Sequence, residues 1–238
     1  MLSKDRGKPG RPAIQILMSS RKGLLSLRSM LKNGLIACTE CYLNIETRLP
    51  ADCPDAQAGR VRFCDGMEYE SISYWYLVWV LRMLAPKPWD TVFDLGSGAG
   101  RFVCLAARRP VRRCVGVEFS QAFCRIAKRN AARLRGRKAP IDILCQDAAQ
   151  ADISEGTVFY LYNPFGRDTL AAVLANIGDS LKRKPRRIKI AYTNPVLESE
   201  LDSCGYLRKA GEFVTPFKLR VAFWDHPGGG GASLRCRP

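Results

Sequence analysis

Residues Val92–Val103 read Val-Phe-Asp-Leu-Gly-Ser-Gly-Ala-Gly-Arg-Phe-Val, an apolar run that breaks into three alternate glycines and then takes up a helical pattern. Few local sequences constrain a fold more. A buried strand ending in such a turn aims backbone N–H groups and a helix N-terminus at whatever binds there. Asp94 falls on the last turn of the predicted strand, where its carboxylate can accept from the loop or from a cationic ligand end. The spacing Gly96-x-Gly98-x-Gly100 separates this loop from the dinucleotide fingerprint, whose third glycine follows the second by three residues.

Polar residues recur at the ends of the next predicted strands. Val111–Phe119 reads as a second buried strand carrying Glu118 at its end. An acid about 20 residues beyond a glycine loop is placed to accept the two ribose hydroxyls of an adenosine ligand. Ile141–Asp147 is a third strand ending in an acid, followed by Ala148. Gly156–Gly166 is a fourth, ending in Asn163-Pro164-Phe165.

The order of elements gives the fold class. Tyr74–Leu84 is too short to cross a membrane and reads as a buried helix stopped before Pro86 and Pro88. Helices are predicted over Arg101–Arg109, Ser120–Arg135 with Ser120 as N-cap, and roughly Asp168–Lys182. Arg187–Pro195 is a fifth strand and Glu198–Cys204 a short helix, and Tyr206–Val214 with Lys218–Asp225 form a closing antiparallel pair. The expectation is an α/β Rossmann-like fold: a mostly parallel seven-stranded sheet with an antiparallel C-terminal edge and helices on both faces. The 238 residues divide into a basic arm (1–35), an extension with a cap helix (36–88), a ligand-binding domain (89–226) and a glycine-rich tail (227–238).

The Asp94–Gly100 loop resembles motif I of the class I S-adenosylmethionine (SAM) methyltransferases. The resemblance implies SAM as cofactor, held by Asp94, Gly96, Ser97, Gly98, Gly100, Glu118, Asp147 and Ala148, with Asp147 at the adenine amino group. Asn163-Pro164-Phe165, with Tyr162, resembles the motif IV loop that borders the methyl acceptor in many such enzymes. A narrower likeness runs from about Asn44 to Phe223. It is to a bacterial class I family of undefined substrate, carrying Ile45-Glu46-Thr47, Asp-Leu-Gly-Ser-Gly, Asn163–Gly166 and Tyr192–Pro195. The Asp-Leu-Gly-Ser-Gly run is also similar to Dot1-type and ATP-synthase-subunit lysine methyltransferases. The doubled proline of the Asn-Pro-Pro-Tyr signature is absent, which lowers the odds of a base-amine or glutamine-amine acceptor.

Methyl transfer from a sulfonium is an in-line displacement governed by proximity and orientation. An amine acceptor must be neutral, so an aromatic, desolvating pocket suits a lysine; Tyr160, Tyr162 and Phe165 flank the predicted acceptor loop. Ordinary strand packing accounts for those aromatics equally well. Glu68 and Tyr69 are further candidates by position. A protein amine ranks first as acceptor, then nucleic acid, then a small molecule. The alternatives are a non-catalytic RNA-binding protein that kept the fold and a nicotinamide-dependent oxidoreductase.

The single histidine, His226, rules out a serine triad or a histidine-rich metal centre. Of ten cysteines, Cys104, Cys114, Cys124 and Cys145 fall in the predicted core as small hydrophobes. Cys38, Cys41, Cys53 and Cys64 hold one Cys-x-x-Cys knuckle without a second, short of a clean zinc pattern, so no metal is assigned and a structural zinc at these four stays the lesser alternative. The thiols are read as reduced and the protein as cytoplasmic. The formal charge of +16 is concentrated in the arm, in Arg125–Lys138 and in Lys182–Lys189. Such clusters are read first as solvated faces, with non-specific nucleic-acid contact as the functional counterpart. The acid-poor arm fits an organelle transit peptide, a disordered arm or a start codon set too early.

Overall fold

The computed structural model describes residues 33–47, 72–215 and 219–228. The arm to residue 32, Cys53, Cys64, Glu68, Tyr69 and the tail beyond Gly228 lie outside the described residues. Seven strands form one sheet in the order β3-β2-β1-β4-β5-β7-β6. They are β1 (Thr91–Leu95), β2 (Arg113–Glu118), β3 (Ile141–Cys145), β4 (Val158–Tyr162), β5 (Ile188–Thr193), β6 (Arg208–Val214) and β7 (Arg220–His226). The first five pair in parallel, and β7 runs antiparallel between β5 and β6. This is the expected mostly parallel sheet with an antiparallel edge. Central strand β1 is buried at all five positions, which is why it reads as a continuous apolar run rather than an alternating one.

The helices are α1 (33–43), α2 (Tyr74–Leu84), α3 (Arg101–Ala106), α4 (Gln121–Arg133), α5 (Arg167–Arg183) and α6 (Glu198–Asp202). Strand side chains alternate between two cores. Val92, Cys114, Val158, Tyr160, Ala191 and Phe223 pack with α1, α2 and α3. Phe93, Val115, Phe159, Ile190, Tyr192 and Trp224 pack under α5 and α6. Ser120 caps α4, its hydroxyl accepting from the Phe123 N–H at 3.3 Å. α3 stops at Ala106, three residues short of the sequence expectation, as the chain turns toward β2.

The basic run after α5 is largely structural. Arg186 donates to the Gly156 carbonyl and the Ser180 hydroxyl, and Lys189 reaches the Leu84 carbonyl at 2.6 Å. Lys182 and Lys184 pair with Asp179 and Glu155. On α4, by contrast, Arg125, Lys128 and Arg129 are exposed. Cys104 and Cys114 are buried free thiols as expected. Cys124 and Cys145 are not: they are joined as a disulfide with Cα atoms 5.8 Å apart. The reduced reading fails for this pair because β2–β3 pairing sets Cys145 opposite Glu118, and the chain turns from Glu118 directly into α4.

Candidate functional site

The glycine loop sits at the C-terminal edge of the parallel strands. Gly96, Gly98 and Gly100 all have positive φ, at 76°, 53° and 83°, which L side chains adopt only at a cost. The Gly96 and Ser97 N–H groups donate to the Val117 carbonyl at 2.9 Å, tying the loop to β2. Glu118 holds the crest from the other side. One carboxylate oxygen accepts from the Gly98 N–H at 2.7 Å and the other from the Ser120 N–H at 2.8 Å. Asp94 is buried beneath the loop and accepts from the Val103 N–H at 3.2 Å. Burial pushes its carboxyl up to about 8; the Val103 N–H opposes that rise and the Glu118 charge adds to it. Ser97 Oγ is buried with no hydrogen-bond partner among the described residues. Asp147 follows β3 and accepts from the Ala149 N–H at 2.9 Å, fixing a tight turn that buries Ala148.

The Asn-Pro-Phe turn meets this loop directly. A Cβ built on Gly96 would lie 2.2 Å from Pro164 Cβ, so only glycine lets the two strand ends close to that distance. Asn163 takes a left-handed conformation, φ 41°, and its side-chain oxygen lies 3.4 Å from the Tyr192 hydroxyl. Burial raises the Tyr192 hydroxyl to about 12, so it stays protonated and can donate. Tyr162 is half-buried at the end of β4 and Phe165 is buried in the second core. Tyr160 does not border the turn. Strand alternation points it into the first core, where it stacks on Phe102 with centroids 3.9 Å apart. A second turn of the same kind follows β5, with Asn194 at φ 49°, beside the first because Tyr162 pairs with Thr193.

Two further residues brace the site, and neither carries a motif signal. Arg101, the first residue of α3, is 5% exposed and pairs with Glu40 of α1 at 3.0 Å. Its guanidinium also donates to Thr47 and to the Ile72 carbonyl, and lies over the Tyr74 ring. Asn130, fully buried, donates to the Ala99 carbonyl at 2.9 Å and to the Glu46 carbonyl at 2.7 Å. The Ile45-Glu46-Thr47 stretch is therefore the strap that binds the extension to the glycine loop. Among the described residues no group of three or more histidine, cysteine or acidic side chains is arranged to hold a metal ion, and no helix is long and apolar enough to cross a membrane.

Residues 92–184 match the model of a methyltransferase domain. Among solved structures, an RNA methyltransferase from Salinibacter ruber, in complex with S-adenosylhomocysteine, is 22% identical and superposes with a TM-score of 0.50. The match covers 71% of this chain and all of that one. TrmN from Thermus thermophilus is 14% identical, with a TM-score of 0.51 over 66% of this chain and 50% of its own. No curated protein sequence matches the chain significantly. The matched segment runs from the first strand through the fourth and on into α5, the stretch that builds the glycine loop, Glu118, Asp147 and the Asn-Pro-Phe turn. Residues 92–184 match a methyltransferase domain, and the chain shares the fold of solved methyltransferase structures.

Proposed function

We propose that the protein transfers a methyl group to a neutral amine nitrogen, a protein lysine first among the candidates, with Asn163 positioning the nitrogen. The observation that carries this reading is the Tyr192–Asn163 contact at a turn pressed against the glycine loop. With its side-chain oxygen fixed by the Tyr192 hydroxyl, Asn163 offers carbonyl acceptors that can orient an amine lone pair.

The residues present suit the cofactor. Asp94 supplies a buried carboxyl below the loop, Ser97 a hydroxyl with no hydrogen-bond partner among the described residues, and Glu118 and Asp147 two acids at neighbouring strand ends. When bound, SAM supplies an electrophilic methyl group on a cationic sulfur. Asp94 would answer that class of charge, Glu118 would hold hydroxyls while tethering Gly98, and the loop amides would orient the remainder. On the acceptor side, half-buried Tyr162 and buried Phe165 lower the local dielectric, which favours the neutral amine. Lysine's ordinary pKa is about 10.4, so the rate should climb with pH until the bound amine is deprotonated.

The test is labelled-methyl transfer from SAM into protein and RNA fractions of a cell extract, for wild type, Asn163→Ala and Tyr192→Phe. Label in lysine, with kcat falling about 100-fold in Asn163→Ala and SAM affinity preserved, supports the reading. Label in lysine that is insensitive to Asn163 would contradict it. A nucleic-acid acceptor is the second reading, favoured by the formal charge of +16.

A further inference from the structure

α2 buries Tyr74, Tyr76, Leu77, Val80, Leu81 and Leu84 and turns Trp75, Val78 and Met83 outward, with Trp75 50% exposed. Beside this outer face lies a cavity of about 300 Å³. Its floor is apolar, from Val78, Leu81 and Leu105, and its rim carries Arg108, Arg109 and Lys138. No carboxylate of the described residues lines it. Arg82 adds a fourth cation nearby: burial first, and then the Arg82 charge, lowers the pKa of Arg109.

Arg108 leaves one guanidinium nitrogen unpaired among the described residues. Its guanidinium lies over the Tyr42 ring, 5.3 Å from the centroid, with the Tyr42 hydroxyl 3.4 Å away. Its Nε is buried with no hydrogen-bond partner among the described residues. Gly136, at φ 74°, keeps the facing backbone bare; a Cβ there would sit 3.2 Å from that Nε. A buried guanidinium nitrogen left unpaired is costly unless an acceptor completes it.

The cavity is also remote from the methyl-transfer edge. Residues 108–109 lead into β2 and 136–138 into β3, so it opens at the N-terminal ends of strands whose C-terminal ends carry Glu118 and Asp147. Strands of five or six residues separate the two edges by roughly 20 Å. A small anionic acceptor cannot occupy both places, whereas a polyanion can. Apolar floor, cationic rim and an outward tryptophan on the same helix face match a nucleotide's base and phosphate.

We infer that this cavity docks the backbone of single-stranded RNA, anchoring an RNA or RNA-bound acceptor while the far edge of the sheet works on it. Docking is independent of which amine receives the methyl group.

Fluorescence anisotropy with a short labelled single-stranded RNA, without SAM, tests it across a salt series. Wild type should bind with a steep salt dependence. The Arg109→Gln/Lys138→Gln double variant should lose about 1.4 from the log–log salt slope, two contacts at about 0.7 each. Val78→Glu, at a surface position, should weaken binding at least tenfold by placing an acid in the cavity. The control Lys182→Gln/Arg183→Gln should change little. Unchanged S-adenosylhomocysteine binding in every variant separates this question from the cofactor site. No RNA binding by wild type at low salt, equal losses in the control, or stronger competition by anionic phospholipid vesicles than by unlabelled RNA would each overturn the inference.

Discussion

Replacing Gly96 with alanine puts a methyl group where the glycine loop and the Asn-Pro-Phe turn touch. The new Cβ would lie 2.2 Å from Pro164 Cβ, with Cγ at 3.2 Å and Cα at 3.4 Å. Carbon atoms in contact sit about 3.5–4.0 Å apart, so Pro164 must withdraw by about 1.5 Å and carry Asn163 with it. Alanine at φ 76° adds about 1–2 kcal/mol of backbone strain. Misplacing a reacting group by about 1 Å costs on the order of 100-fold in rate. Gly96→Ala should therefore lower kcat by about 100-fold while the protein loses about 1–2 kcal/mol of stability. Gly205→Ala is the control, because a Cβ there meets nothing within 4 Å. Labelled-methyl transfer under saturating SAM, with urea denaturation alongside, measures both. A Gly96→Ala enzyme with wild-type kcat would refute the idea that these two strand ends must close on each other for transfer.

The remaining predictions concern charge and cross-linking. Because Asp94 in the folded protein is raised to about 8 by burial, against an ordinary value of about 3.9, the folded state holds its proton more tightly than the unfolded chain. The contribution of Asp94 to stability should then be full below about pH 4 and be lost as pH rises through about 8; Asp94→Asn should remove that part of the pH slope, and an unchanged slope would locate it elsewhere. The same ionisation should favour a cationic ligand, so SAM affinity should strengthen from about pH 6 to about pH 8 in wild type and stay flat in Asp94→Asn, as read by calorimetric titration. Removing one partner of the buried Arg101–Glu40 pair, as in Glu40→Gln, should cost about 3–5 kcal/mol in denaturant unfolding, and a loss below about 1 kcal/mol would show the pair to be dispensable. Reduction of Cys124–Cys145, which spans 21 positions, should cost up to about 3 kcal/mol, or roughly 6–12 °C in Tm; identical melting with and without reductant would show that the cross-link does not form in solution.

The parts of this molecule that could be read in advance are those where backbone geometry or strand order dictates residue type. Alternate glycines mark a loop that needs positive φ, and acids at successive strand ends mark the edge where a parallel sheet meets its ligand. Positions set by contacts between distant segments carried no such mark. Glu40 and Arg101 lie 61 residues apart and meet only because α1 folds against α3. Tyr160 was drawn to the acceptor turn by its nearness in sequence, yet the two-residue period of β4 sends it into the core beneath Phe102. The disulfide follows from β2–β3 register and the turn into α4, neither of which cysteine spacing reveals. The Lys182–Lys189 run resembles a nucleic-acid patch in composition, but Lys182, Lys184, Arg186 and Lys189 are occupied by carbonyls, a hydroxyl and acids of this chain. The cationic cavity instead draws on three separate segments, so no run of sequence displays it.

Calorimetric titration of S-adenosylhomocysteine into wild type and Glu118→Ala, with NAD as the comparison ligand, tests the assignment of the cofactor edge most directly. Loss of a charged acceptor that also tethers Gly98 and Ser120 should weaken binding by about 10- to 100-fold, from about 1.5–3 kcal/mol of charge-assisted hydrogen bonding, with NAD silent throughout. Equal affinity in a folded Glu118→Ala protein would contradict the assignment, as would NAD binding in place of S-adenosylhomocysteine.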